Sequence, residues 1–215
     1  MTMADKLEVF NAALDDLGHA PLSSLTENIE AQRILTRRWD RVVADCISEA
    51  SWNFAVRGIM MDYDPDYDPS FGYQYVFEKP DDWVRTLGVS GDENHVYPLL
   101  QYYDDATNWS ADISPIYVRY VSNGASYGLN LAAWPAPFTR YVELELAVRG
   151  CMRITQNDNL KASLEKERDE AKKKAKFLDA MDEAQPRFPP PSGWTQARWG
   201  RFGGRDRGSR GSLIG

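Results

Sequence analysis

Histidine and cysteine are scarce in this chain of 215 residues, at two each, and that scarcity removes whole classes of chemistry. His19 and His95 share no spacing of a ligand or catalytic pair, and without a cysteine cluster the four-ligand pattern of a zinc site is missing. Cys46 and Cys151 stand far apart, each within a stretch of helical apolar spacing, and read as small buried hydrophobes; nothing in their spacing favours a disulfide or metal role. Gly203-Gly204 has neither a strand before it nor a helix after it, so no phosphate loop is present, and no cofactor is expected. A G-x-S-x-G elbow and a Cys-His arrangement are also lacking. Carboxylates are plentiful, but no spacing singles out a hydrolytic pair, and the expectation is that the chain is not an enzyme. No apolar run approaches the length of a membrane span, and MTMADKLEVF carries no basic-then-apolar signal, so a soluble protein made in the cytoplasm, with no membrane partner, is expected.

What the chain does have is aromatic surface and unevenly placed charge. Seven Trp and eleven Tyr point to folded, packed structure. The net charge is −7, yet residues 194–215 hold five Arg against one Asp, a net +4 that leaves −11 on the first 193 residues. An acidic body therefore carries a basic tail suited to reaching another molecule.

The clearest element is the stretch from Ile29 to Phe54. Leu35, Trp39, Val42, Cys46 and Ala50 recur at spacings of four and three, one stripe of an amphipathic helix, with Arg33, Arg37, Arg38, Asp40, Arg41, Asp45 and Glu49 mostly opposite. It closes on Trp52-Asn53-Phe54-Ala55, which reads as an anchor fastening the helix end. Before it, residues 3–17 form a first helix along Leu7, Phe10, Leu14 and Leu17, with Thr2 as N-cap, Asp5 three residues on, and Gly18 as the residue just past the end. Ser24 and Thr26 are the expected caps of the second helix. A third helix after Trp134 opens on Pro135 and Pro137 and is apolar enough to be central, with Tyr141, Leu144, Val148 and Cys151 as its stripe. The fourth, from Leu160 to about Ala184 and capped by Asp158 or Asn159, has a narrow seam of Leu160, Leu164, Ala171, Ala175, Leu178 and Met181. It needs a partner helix in its own chain or the next. Lys172, Lys173, Lys174 and Lys176 read as a nucleic-acid patch or, given Glu165, Glu167, Asp169 and Glu170 beside them, as a solvated face with pairs such as Asp169 and Lys173.

Between the second and third helices the pattern is that of strands. Tyr73 to Glu78, Trp83 to Val89, His95 to Tyr102 and Ile116 to Val121 show β-type runs, with a turn at 90–94 and Pro80 and Pro98 at strand ends, edges or bulges. DYDPDYDPS, residues 62–70, reads as an exposed loop. Its alternating Asp invites a calcium reading, but Tyr67 and Tyr73 stand where an EF-hand needs glycine and glutamate.

The last segment, residues 186–215, cannot build a core. Pro186 and Pro189 to Pro191 impose an extended spacer, and Arg198, Arg201, Arg205, Arg207 and Arg210 alternate with Trp194, Trp199 and Phe202. That mixture suits stacking on nucleic acid, docking into a protein groove, or a solvated tail.

The segments Leu14 to Glu27, Arg33 to Glu49 and Trp52 to Ala55 together resemble the tail tubular protein A family of short-tailed phages and related head-to-tail adaptors. The likeness is sharp over the first quarter of the chain and architectural afterwards. It implies a virion protein, assembled in the host cytoplasm, that forms a homo-oligomeric ring of twelve under the portal protein. It implies further that this ring joins the portal to a tail nozzle or tail-tube protein and passes DNA through its channel without sequence-specific binding. The resemblance makes the tail a portal anchor, with Trp194, Arg198, Trp199, Arg201, Phe202, Arg205, Arg207 and Arg210 as the contacts. The alternative is a nucleic-acid-binding protein acting through that Arg/Gly/aromatic tail. The expected fold is α+β, an antiparallel bundle of about four helices with an inserted small antiparallel sheet. Residues 1–55 form the first hairpin, 56–130 the β-rich insert, 131–185 the helices completing the bundle, and 186–215 an extended tail.

Overall fold

The computed structural model describes residues 5–69, 72–96 and 98–182, so the Arg-rich segment and its expected portal contacts lie outside the described residues. Within them the fold is α+β. The order is α1 (Lys6–Asp16), α2 (Glu30–Ser48), β1 (Val56–Met61), β2 (Tyr75–Glu78), β3 (Trp83–Ser90), β4 (Tyr103–Asp104), β5 (Asn108–Ala111), β6 (Ile116–Ser122), α3 (Ala136–Ile154) and α4 (Asp158–Asp182).

Local chemistry sets the helix ends, in places differently from the expectation. Asp5, not Thr2, is the N-cap of α1, and its N–H donates to Glu8 at 3.3 Å; Thr2 lies outside the described residues. Gly18 closes the helix as expected. At φ +68 it adopts the left-handed conformation, its N–H donates to the Asp15 carbonyl and that of His19 to Leu14, the paired bonds of a glycine C-terminal stop. Ser24 and Thr26 do not cap α2. Their hydroxyls bond each other at 2.9 Å within the loop, and α2 begins at Glu30 behind Ile29, an N-cap with no side-chain hydrogen bond. For α4 the capping oxygen comes from Asn157, which accepts from the Leu160 N–H at 3.1 Å, so Asp158 is already helical.

The bundle core forms where these stripes meet. Leu35, Trp39, Val42 and Cys46 are buried as their spacing predicts. Ten residues of α3 are buried, which makes it the central helix. The seam of α4 packs on α3 of its own chain through Leu164 and Ala175, while Leu178 and Met181 remain exposed. Each large aromatic removed from water contributes several kcal/mol at about 25 cal/mol per Å². Here Phe10, Trp39, Trp134, Phe138 and Trp52 form one chain of ring contacts with centroids 4.9–6.1 Å apart.

The insert is two three-stranded antiparallel sheets, not one, ordered β1-β6-β3 and β2-β5-β4. Strands β1, β4 and β5 lie outside the expected runs. The expectation also placed a strand at His95 to Tyr102, where the described chain instead takes a positive φ at His95 and makes a single bridge from Pro98 to Ser90. Strand β6 explains how the layers stack. Ile116, Val118 and Tyr120 share one face and a hydrophobic cluster with Phe77, Trp109 and Ala111 of the second sheet. Val121, on the opposite face, joins Val84 and Leu87 in the core of the bundle.

Candidate interaction surfaces

The aromatic close of α2 is a joint between four elements. Trp52 is buried, its Nε1–H donates to the Cys46 carbonyl at 2.8 Å, and its ring meets Phe138 of α3 edge-on. Asn53 reaches α4, its backbone N–H donating to an Asp179 carboxylate oxygen at 3.1 Å and its side-chain amide to the Asp179 carbonyl at 2.7 Å. Lys172 and Lys176 hold Glu49 from the same helix, and the hydrogen bond and charge of Lys172 keep the Glu49 carboxyl below the usual range. Arg85 of β3 donates to Ser51 at 2.9 Å. The dipeptide Trp52-Asn53 thus fixes where α2 ends, where α4 lies and where the sheet departs.

Two ionic clusters lock the frame. Glu145, buried on α3, accepts from Arg149 Nε at 2.6 Å and from Arg168 of α4 at 2.8 Å, while Arg149 also reaches Asp45 of α2 at 2.7 Å. In the sheets, Asp82 accepts from Arg57 and Tyr120 at 2.9 Å each, and from Ser122. Burial pushes the Asp82 carboxyl up, but these three donors together bring it below the ordinary value. Burial beside Asp82 raises the Tyr120 phenol. The two cysteines are free and buried, and burial pushes the Cys46 thiol up to about 12, which makes it a packing residue and not a nucleophile.

Two surfaces of opposite charge remain. Arg33, Arg37 and Arg38 of α2 meet Arg153, from the last turn of α3, around a groove of about 440 Å³ that Glu30 and Ile34 complete. Arg33 donates to Asn28, whereas Arg37, Arg38 and Arg153 have no carboxylate partner among the described residues. Burial, then the neighbouring Arg153, Arg149 and Arg37, lowers the Arg38 pKa. The second surface is the Asp/Tyr loop after β1. Asp62, Asp66 and Asp68 are exposed, Tyr63 and Tyr67 are about half exposed, and Asp62 and Asp64 border a groove of about 510 Å³ with Glu78 and Asp81. Among the described residues no group of three or more His, Cys, Asp or Glu is arranged to hold a metal ion.

The sequence reading did not find the basic groove, since three of its arginines read as the solvent side of α2 and only folding brings Arg153 to them. Compared with known proteins, the chain matches no protein-family model and no curated protein.

Proposed function

We propose that the chain is a subunit of a virion head-to-tail adaptor. In this reading it forms a ring, twelve-fold in the family picture, that docks beneath the portal protein and receives a tail nozzle or tail-tube protein on its other side. DNA passes through the channel without sequence-specific contacts. The observation that carries the reading is the place of Trp52-Asn53-Phe54-Ala55. This segment bears the resemblance, and it is also the joint that holds α2, α3, α4 and β3 in fixed relation. A ring subunit needs such a rigid body, because errors in angle multiply around a closed assembly. The acidic balance of the first 193 residues supports the passage of DNA, since like charge disfavours adhesion to phosphate.

The test is co-purification with the portal protein of the same virus, comparing the full chain with one ending at Gly193, followed by imaging for rotational symmetry. The expected result is a ring on the portal that is lost on truncation, with Arg198, Arg201, Arg205, Arg207, Arg210 and the aromatics among them acting as the anchor. A full chain that ignores the portal and binds DNA in a salt-dependent way refutes the reading and makes the tail a nucleic-acid arm.

A further inference from the structure

Three of the four arginines around the α2/α3 groove lack a carboxylate partner among the described residues, and Arg33 closes the first turn of α2, where the helix dipole disfavours a cation. With Glu30 the group still holds an excess of three positive charges in a chain that is otherwise acidic. Gathered at one surface, these like charges repel one another and favour an anionic occupant. The strongest anionic feature among the exposed loops is Asp62, Asp64, Asp66 and Asp68, interleaved with half-exposed Tyr63 and Tyr67. Carboxylates suit bidentate pairing with guanidinium groups, and tyrosine rings suit stacking on their planes. Tyr67 sits between the exposed Asp66 and Asp68, near the middle in sequence of the connection between β1 and β2.

Groove and loop are built by different elements of the subunit, the groove by α2 and α3 and the loop by the connection between β1 and β2. Arg33 and Arg37 are in the N-terminal half of α2, a helix of about 28 Å, and the chain leaves its other end to run along β1, about 20 Å more, before the loop begins. Among the described residues no ion pair joins the two within one subunit. We infer that the exposed Asp66-Tyr67-Asp68 segment of one subunit enters the Arg37/Arg38/Arg153 groove of a second copy. Because the two surfaces differ, the contact is head-to-tail, the kind that propagates around a ring. Its closure into a ring rests on the adaptor reading; the pairwise contact does not.

The experiment uses two full-length variants, Arg37→Gln/Arg38→Gln and Asp66→Asn/Asp68→Asn. All four changes are at exposed or half-exposed positions, and circular dichroism verifies folding. By sedimentation velocity in low salt, each variant alone should lose at least about tenfold in self-association. An equimolar mixture should form a heterodimer that grows no further, since each mixed pair keeps one intact groove and one intact loop. Absence of the heterodimer overturns the contact. So does unchanged self-association of either variant, or a groove variant whose only loss is affinity for a short DNA duplex. A wild-type ring on the portal that survives both changes leaves the adaptor reading standing and removes this contact. A heterodimer without any portal complex does the reverse.

Discussion

Replacing Glu145 by Gln changes one atom of a buried side chain and isolates what its charge does. The carboxylate offers two acceptors, and each is used, Oε1 by Arg149 and Oε2 by Arg168. An amide of the same shape has one acceptor and one donor, so one guanidinium must face an N–H group. The side chain of Glu145 is 8% exposed, against 29% and 25% for the arginines. Losing one charge-assisted hydrogen bond costs about 1.5–3 kcal/mol. A buried pair broken on one side costs about 3–5 kcal/mol, which the partial exposure of the arginines reduces. We expect a loss of roughly 2–4 kcal/mol, or a Tm lower by about 4–16 °C at the 2–4 °C per kcal/mol of a chain this size. Urea unfolding of the full chain measures it. Adding Arg168→Met to Glu145→Gln should recover part of the loss, with a coupling of about 1 kcal/mol or more, because the orphaned donor is removed. A single variant within about 0.5 kcal/mol of wild type, or purely additive losses, would refute the account of α3 and α4 as ionically clamped.

The Asp82 cluster gives a pH dependence of fixed sign. Its carboxyl lies below the ordinary value in the folded chain, so its contribution is present above the unfolded value, about 3.9, and is lost as pH falls through the lower folded one. Asp82→Asn should therefore cost about 1–3 kcal/mol at pH 7, and the gap to wild type should narrow between pH 5 and 3. Urea midpoints across that range check this, and a constant gap contradicts it. Trp52→Phe should lose about 1–3 kcal/mol, since the ring shrinks and the Cys46 carbonyl loses its donor. Hydrogen exchange at residues 50–55 should quicken more than in α1, and uniform exchange would count against the joint.

Much of the bundle was legible because its burial obeys periodicity. Leu35, Trp39, Val42 and Cys46 recur at helical spacing and face inward, and Gly18 stops α1 by a backbone need that few other residues meet. The joint was legible as an anchor, from two aromatics flanking an asparagine, though not that Asn53 holds α4. Boundaries were less legible because caps compete. Ser24 and Thr26 satisfy each other, and Asn157 is better placed than Asp158. Strand β1 was missed because VRGIMM shows no clean alternation; its pairing with β6 is what fixes it. His95 to Tyr102 has strand-like composition, but a positive φ at His95 turns the chain. The basic groove depends on Arg153 arriving from another helix, which no local pattern records.

The pairing of Val56 with Val121 places the two ends of the whole β excursion side by side, about 5 Å apart. Its outer sheet also keeps a hydrophobic cluster separate from that of the helices. Lineages carrying this architecture can therefore lengthen, trim or re-sculpt the far sheet while the helical chassis stays under its own selection. Partner specificity on that side is then free to change quickly, and the part that sets subunit geometry can be inherited almost intact.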